Sequence, residues 1–142
     1  MKAVILAAGF GMVLAALPAA SMAACAAPSV RNNTKAALTG VLQGNTACVG
    51  TAPTFESQEL HQAGGALIDY KRGGGSVDPT KQVGTWSVTG TDGRGVFVTY
   101  DYGGGNIYNY AVWRNTDGSY GFCSAKPEVK VQIKSLGGGP CP

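Results

Sequence analysis

From Asn45 to the C-terminus the chain repeats one pattern: a short run of alternating apolar and polar residues, then glycines or another turn-forming pair. Successive side chains leave a β-strand on opposite faces, so this alternation marks half-buried strands. Asn45 to Val49 is the first run and Phe55 to His61 the second. Gln62-Ala63-Gly64-Gly65 turns into Ala66 to Arg72, where Ala66, Ile68 and Tyr70 share a face. In Val83 to Thr89, Trp86 and Val88 oppose Thr85, Ser87 and Thr89. Val96, Val98, Tyr100 and Tyr102 then oppose Phe97, Thr99 and Asp101. Tyr108, Tyr110 and Val112 alternate with Asn109, Ala111 and Trp113. Asp117-Gly118 is a hairpin dipeptide, followed by Tyr120 to Cys123 and Val129 to Lys134.

About eight strands joined by short turns make an antiparallel up-and-down meander, the economical topology. Such a sheet must dispose of its edges, and closing into a small barrel removes them. The expected fold class is therefore all-β with one short N-terminal helix, a barrel favoured over a two-sheet sandwich. The helix is expected within Thr34 to Gln43, where Ala37, Leu38, Val41 and Leu42 recur at helical spacing and Gly44 suits the stop. Residues 25–44 then form a spacer and helix, and residues 45–142 the barrel-like domain. Lys71 to Ser76, Asp78-Pro79 and Gly103-Gly104-Gly105-Asn106 read as loops and turns.

The N-terminus has a different character. Lys2 precedes an apolar run from Ala3 to Ala20, broken by Pro18 and followed by small residues. This is the layout of a secretory signal peptide over residues 1–24, with Ser21 and Ala23 at the −3 and −1 positions. The alternative is a retained membrane anchor, since the run approaches the ~20 residues needed to span a bilayer. Met22-Ala23-Ala24-Cys25 also resembles a bacterial lipobox, although Met22 stands where leucine is usual. Lipidation of Cys25 would make the product a membrane-anchored lipoprotein. Otherwise the expected location is periplasmic or extracellular.

Either route ends where disulfides persist. No two of Cys25, Cys48, Cys123 and Cys141 have the close spacing of a metal or redox motif. Four cysteines allow three pairings. Cys48 ends the first strand and Cys123 the seventh, which suggests a Cys48–Cys123 bridge at one barrel end and a second between Cys25 and Cys141.

Composition narrows the chemistry. Net charge is +3 and the chain has one histidine, so it offers no basic block for nucleic acid and no two-histidine zinc site. His61 is the sole candidate base for a catalytic triad, with Ser57 and Glu59 nearby, but no nucleophile elbow surrounds any serine. Glu56 with Glu59, or Asp69 with Asp101, are carboxylate pairs that read as solvated surface. The glycine-rich loops lack the following helix of a phosphate cradle, and Asp92 and Asp117 lack calcium-loop spacing. No catalytic, cofactor or metal residue is therefore assigned, and the chain is read as no enzyme.

The aromatic set remains. Trp86, Tyr100, Tyr102, Tyr108 and Tyr110 fall at alternating strand positions and are candidates to face a ligand. Phe97 and Trp113 lie on the opposite face, as an outer patch for a partner.

Gly44-Asn45-Thr46, Gly64-Gly65, Asp69-Tyr70-Lys71, Asp78-Pro79 and Gly84-Thr85-Trp86, with the late Cys123, resemble a group of small, uncharacterised exported β proteins of proteobacteria. That resemblance covers most of the mature chain and implies bacterial origin and export. The outline is also similar to lipocalin-like and avidin-like barrels. Gly84-Thr85-Trp86 resembles the Gly-x-Trp of lipocalins but falls mid-chain rather than in a first strand. The functional expectation is a non-enzymatic binding module for a small ligand or an envelope partner protein. The alternative is a structural, envelope-associated protein without a ligand. Membrane contact is expected only if Cys25 is lipidated.

Overall fold

The structure is a computed structural model that describes residues 25–70, 72–73, 76–77, 81–135 and 139–142. The expected leader at 1–24, and Lys71, Gly74, Gly75, Asp78 and Pro79 of the expected loops, lie outside the described residues.

In chain order the elements are β1 (Val30–Arg31), α1 (Lys35–Leu42), β2 (Thr46–Val49), β3 (Ser57–His61), β4 (Ala66–Asp69), β5 (Arg72–Gly73) and β6 (Ser76–Val77). They continue with β7 (Lys81–Thr91), β8 (Gly95–Asp101), β9 (Ile107–Arg114), β10 (Tyr120–Cys123) and β11 (Val129–Lys134). Eight of these strands, β2, β3, β4, β7, β8, β9, β10 and β11, each pair antiparallel with the next. β11 then pairs back onto β2, with Val131 opposite Val49, and the sheet closes into an up-and-down barrel. β5 and β6 form a separate small hairpin in the β4–β7 connection.

β1 was not anticipated. Two residues cannot show a period, and the N-terminal segment was read as an extended spacer. Val30 and Arg31 pair with Arg114 and Trp113, on the edge of β9 that β8 leaves vacant beyond Tyr110. Arg31 also lies over the Phe97 ring at 5.2 Å, a cation–π contact. The expected outer patch is therefore partly covered, and both Phe97 and Trp113 are half-buried.

α1 closes one end of the barrel. Thr34 caps it by accepting the Ala37 amide at 3.2 Å, and Asp92 from the β7–β8 turn accepts the Lys35 amide at 2.7 Å. Both bonds satisfy amides that a helix start leaves unpaired. Leu38 and Leu42, one helical turn apart, are fully buried in the core with Leu67, Val96 and Trp86. Burying each leucine contributes about 1.5–3 kcal/mol. Gly40 faces open space, so its cost in the helix is not offset by packing.

Two glycines are set by close approach. A Cβ on Gly84 would sit 2.4 Å from the Asp101 carbonyl oxygen, and one on Gly90 only 2.0 Å from that of Gly95. Gly90 also has a φ of +89°. Both lie in the long β7–β8 hairpin, where the strands coil tightly around the barrel.

The disulfides correct the sequence expectation. They join Cys25 to Cys123 and Cys48 to Cys141, not Cys48 to Cys123 and Cys25 to Cys141. β11 lies between β10 and β2 in the ring. Two strand spacings of roughly 4.8 Å separate Cys123 from Cys48, beyond the ~7 Å that a disulfide spans. Instead the C-terminal tail folds back over the outer wall. Gly139 accepts from the Thr46 hydroxyl, Pro140 accepts from Lys134 Nζ, and the Cys141 amide donates to Gln58 Oε1. Cys48, Cys141 and Phe55 thereby form a small cluster outside the barrel. At the other terminus, the Ser29 amide donates to Ala26 and the Ser29 hydroxyl to Asn115, which turns Cys25 back over β9 toward Cys123. A Cys25 sulfur held in this bridge cannot also carry a lipid thioether, so the folded form described is the non-acylated one. Two disulfides mark an oxidising, non-cytoplasmic location. Among the described residues, no helix is long and apolar enough to cross a membrane.

Candidate functional site

The barrel has unlike ends. At one, α1 and the short turns at 62–65, 92–94 and 115–119 close over packed aliphatic residues. At the other, the connections 50–56, 102–106 and 124–128 leave a mouth. Beneath it is a cavity of about 130 Å³.

Strand alternation selects its walls. β2 supplies Ala47 and Val49, β3 Ser57 and Glu59, β8 Tyr100 and Tyr102. β9 adds Tyr110, β10 Phe122, and β11 Val129 and Val131. Aromatic rings follow one another around this wall. Tyr108 meets Tyr102 at 5.9 Å between centroids, Tyr102 meets Tyr100 at 6.2 Å, Tyr100 meets Tyr110 at 6.0 Å, and Tyr110 meets Phe122 at 6.0 Å. These spacings are those of favourable tilted aromatic pairs.

Three of the five anticipated aromatics, Tyr100, Tyr102 and Tyr110, line the cavity. Tyr108 stands at the rim, 40% exposed beside the exposed Ile107. Trp86 is elsewhere: it is buried in the core, donating its indole N–H to the Gln62 carbonyl at 3.0 Å. Its ring packs edge-on against His61, with centroids 5.1 Å apart.

β3 inverts the usual pattern. Its polar residues Ser57, Glu59 and His61 face inward, while Gln58 is buried on the outer side beneath the C-terminal tail. His61 is fully buried. Its Nδ1 lies 3.4 Å from the Asn45 carbonyl oxygen and its Nε2 lies 2.8 Å from the Tyr100 hydroxyl. Burial depresses the imidazole to about 4, against partial compensation from backbone contacts with Asn45 and Glu59. The ring is therefore neutral at physiological pH. A carbonyl only accepts, so Nδ1 carries the proton and Nε2 accepts from Tyr100. Burial raises the Tyr100 hydroxyl well above its ordinary value, so it keeps that proton.

Glu59 was read from sequence as surface or as a helper to His61. Instead its carboxylate turns into the cavity wall and accepts from the Tyr102 hydroxyl, with both oxygens at 2.9 Å. Burial raises the Glu59 pKa, the Tyr102 hydrogen bond opposes this, and Asp69 adds to the rise. Asp69 is its direct cross-strand partner on β4. Burial and the neighbouring Glu59 charge raise the Tyr102 hydroxyl strongly. Among the described residues, no lysine or arginine forms an ion pair with Glu59. The signal available in sequence was the spacing itself: Ser57, Glu59 and His61 share one face of a strand in a barrel with a small interior.

The other carboxylates have local tasks. Asp101 accepts the Gly103 amide in a turn, and Asp92 caps α1. Asp117, on the surface, is held well below the usual carboxylate range by Lys130 and Ser119. Among the described residues, no three His, Cys, Asp or Glu side chains are grouped to hold a metal ion.

The chain matches no protein-family model, and no curated protein or solved structure shows significant similarity to it.

Proposed function

We propose that this chain is an exported, non-enzymatic binding module that receives a small ligand through the open end of its barrel, in the periplasm or outside the cell. The observation that carries this reading is the unfilled space of about 130 Å³ at the mouth, lined by tyrosines and one half-buried carboxylate. This recess opens to solvent between aromatic walls and presents one carboxylate, which suits it to receive a small molecule. The lower half of this barrel is filled by Leu38, Leu42, Leu67 and Val96. The absence of enzyme chemistry is argued from His61. The one histidine has both ring nitrogens engaged and lies outside the cavity wall. Export is supported by the two disulfides and by the signal-peptide layout of residues 1–24.

Native mass spectrometry of the protein purified from its own host tests the reading. A co-purifying small molecule that leaves on gentle activation, and leaves a Tyr110→Trp variant with a filled mouth empty, supports it. Repeated recovery of the bare chain, with no shift in unfolding temperature across a small-molecule panel, would favour the structural, envelope-associated role.

A further inference from the structure

The chemistry of the cavity wall specifies a kind of ligand. We infer that the cavity selects a small organic cation, an ammonium group carried on a benzene-sized or smaller apolar body, with Glu59 as its counter-charge. This inference rests on the binding-module reading and gives it a ligand class.

Three observations carry it. The first is charge. Glu59 faces the cavity with no described cation in an ion pair, and Asp69 sits directly across the strand pair from it. A ligand carboxylate would meet the negative Glu59 side chain, whereas an ammonium would meet its complement. Burial raises the Glu59 pKa against the opposing Tyr102 hydrogen bond, and a bound cation would favour the charged form.

The second is hydrogen-bond polarity. Tyr102 gives its proton to Glu59 and Tyr100 gives its proton to His61. Both hydroxyl oxygens therefore offer lone pairs alone to the cavity, beside the carboxylate. Ser57 and Tyr110 carry hydroxyls that can turn either way. The fixed polar groups are acceptors, so the ligand must donate, and an ammonium group has donors and no acceptor.

The third is surface and size. Tyr100, Tyr102, Tyr110 and Phe122 line the space, and aromatic rings stabilise a desolvated cation. A cavity of about 130 Å³ approaches the ~150 Å³ that accommodates benzene in a protein interior. It is smaller than the ~300–1,000 Å³ of pockets for drug-sized ligands.

The test uses the full mature protein with both disulfides formed and three probes of one shape: benzylamine, benzyl alcohol and benzoate. Binding is read by calorimetry and by the two-dimensional NMR shifts of the cavity residues at pH 7.5. The expected result is benzylamine bound at least tenfold more tightly than either other probe. In Glu59→Gln, which keeps an acceptor for Tyr102 but removes the charge, the preference for benzylamine over benzyl alcohol should fall at least tenfold. Benzyl alcohol or benzoate binding the wild type as well as benzylamine overturns the cation inference and leaves the binding module standing. No probe binding at millimolar concentration, with no cavity resonance moving, overturns the cation inference, while the binding module stands or falls on the co-purification experiment. The wild-type comparison decides the matter even if the variant does not fold.

Discussion

Acidification should destabilise this protein through His61. The imidazole has an ordinary value of 6.5 and is held at about 4 in the folded barrel. Between those values the unfolded chain binds a proton that the folded chain refuses. The His61 contribution is therefore fully present above pH 6.5 and is lost as pH falls toward 4. At roughly 1.36 kcal/mol per pH unit, the full loss is about 3 kcal/mol. That is a large part of the ~5–15 kcal/mol typical of a domain. Glu59 acts in the opposite direction: its folded pKa is raised, so protonation above its ordinary 4.5 favours the folded state and offsets part of the loss. Asp117, depressed in the folded state, acts at lower pH, below its ordinary 3.8. The assay is urea unfolding of the disulfide-intact protein from pH 7.5 to 4, for the wild type and His61→Gln. The variant begins less stable, because it loses the imidazole ring packed between Trp86 and Tyr100, but its stability should depend less on pH. The difference in slope between the two proteins isolates the imidazole. Parallel curves, or an NMR titration of folded His61 near 6.5, would refute the reasoning.

Other outcomes follow from the fold. Peptide mapping without reduction should recover Cys25 with Cys123 and Cys48 with Cys141, and a Cys48–Cys123 peptide would contradict the strand order. Replacing Cys48 and Cys141 together by serine opens a loop of 93 residues and should cost about 4–5 kcal/mol on a chain-entropy argument, measured by urea midpoint. Leu42→Ala should cost about 2–5 kcal/mol, because the α1 leucine is wholly buried at the closed end; a loss below about 1 kcal/mol would mean that the helix does not seal the barrel. Gly90→Ala should destabilise by more than about 1 kcal/mol, since both its φ and the Gly95 carbonyl oppose a side chain, and calorimetric melting would show it.

The barrel was legible because its strands obey one rule. Val96, Val98, Tyr100 and Tyr102 alternate strictly with residues of the outer face, and the short turns leave little choice of neighbour. α1 was legible from the spacing of Leu38 and Leu42 and from Gly44 at its stop. β1 was hidden because two residues have no periodicity. The disulfide pairing was hidden because it depends on how the two tails cross the outer wall, a long-range property that no strand encodes. Glu59 was misread because polar alternation is symmetric: Ser57, Glu59 and His61 occupy one face, but nothing in β3 alone says which face is inside. Only the pairing of Glu59 with Asp69 and its reach to Tyr102 settle that orientation.

The two disulfides interleave along the chain, in the order Cys25, Cys48, Cys123, Cys141. A protease that cuts once between Cys25 and Cys48 leaves the pieces joined through Cys123. A cut between Cys123 and Cys141 leaves them joined through Cys48, and a cut anywhere between is spanned by both bridges. No single cleavage from Cys25 to Cys141 can release a fragment. The barrel's neighbouring strands would hold the nicked ends in register, so a protein exposed to digestion outside the cytoplasm would keep its interior after its first cut.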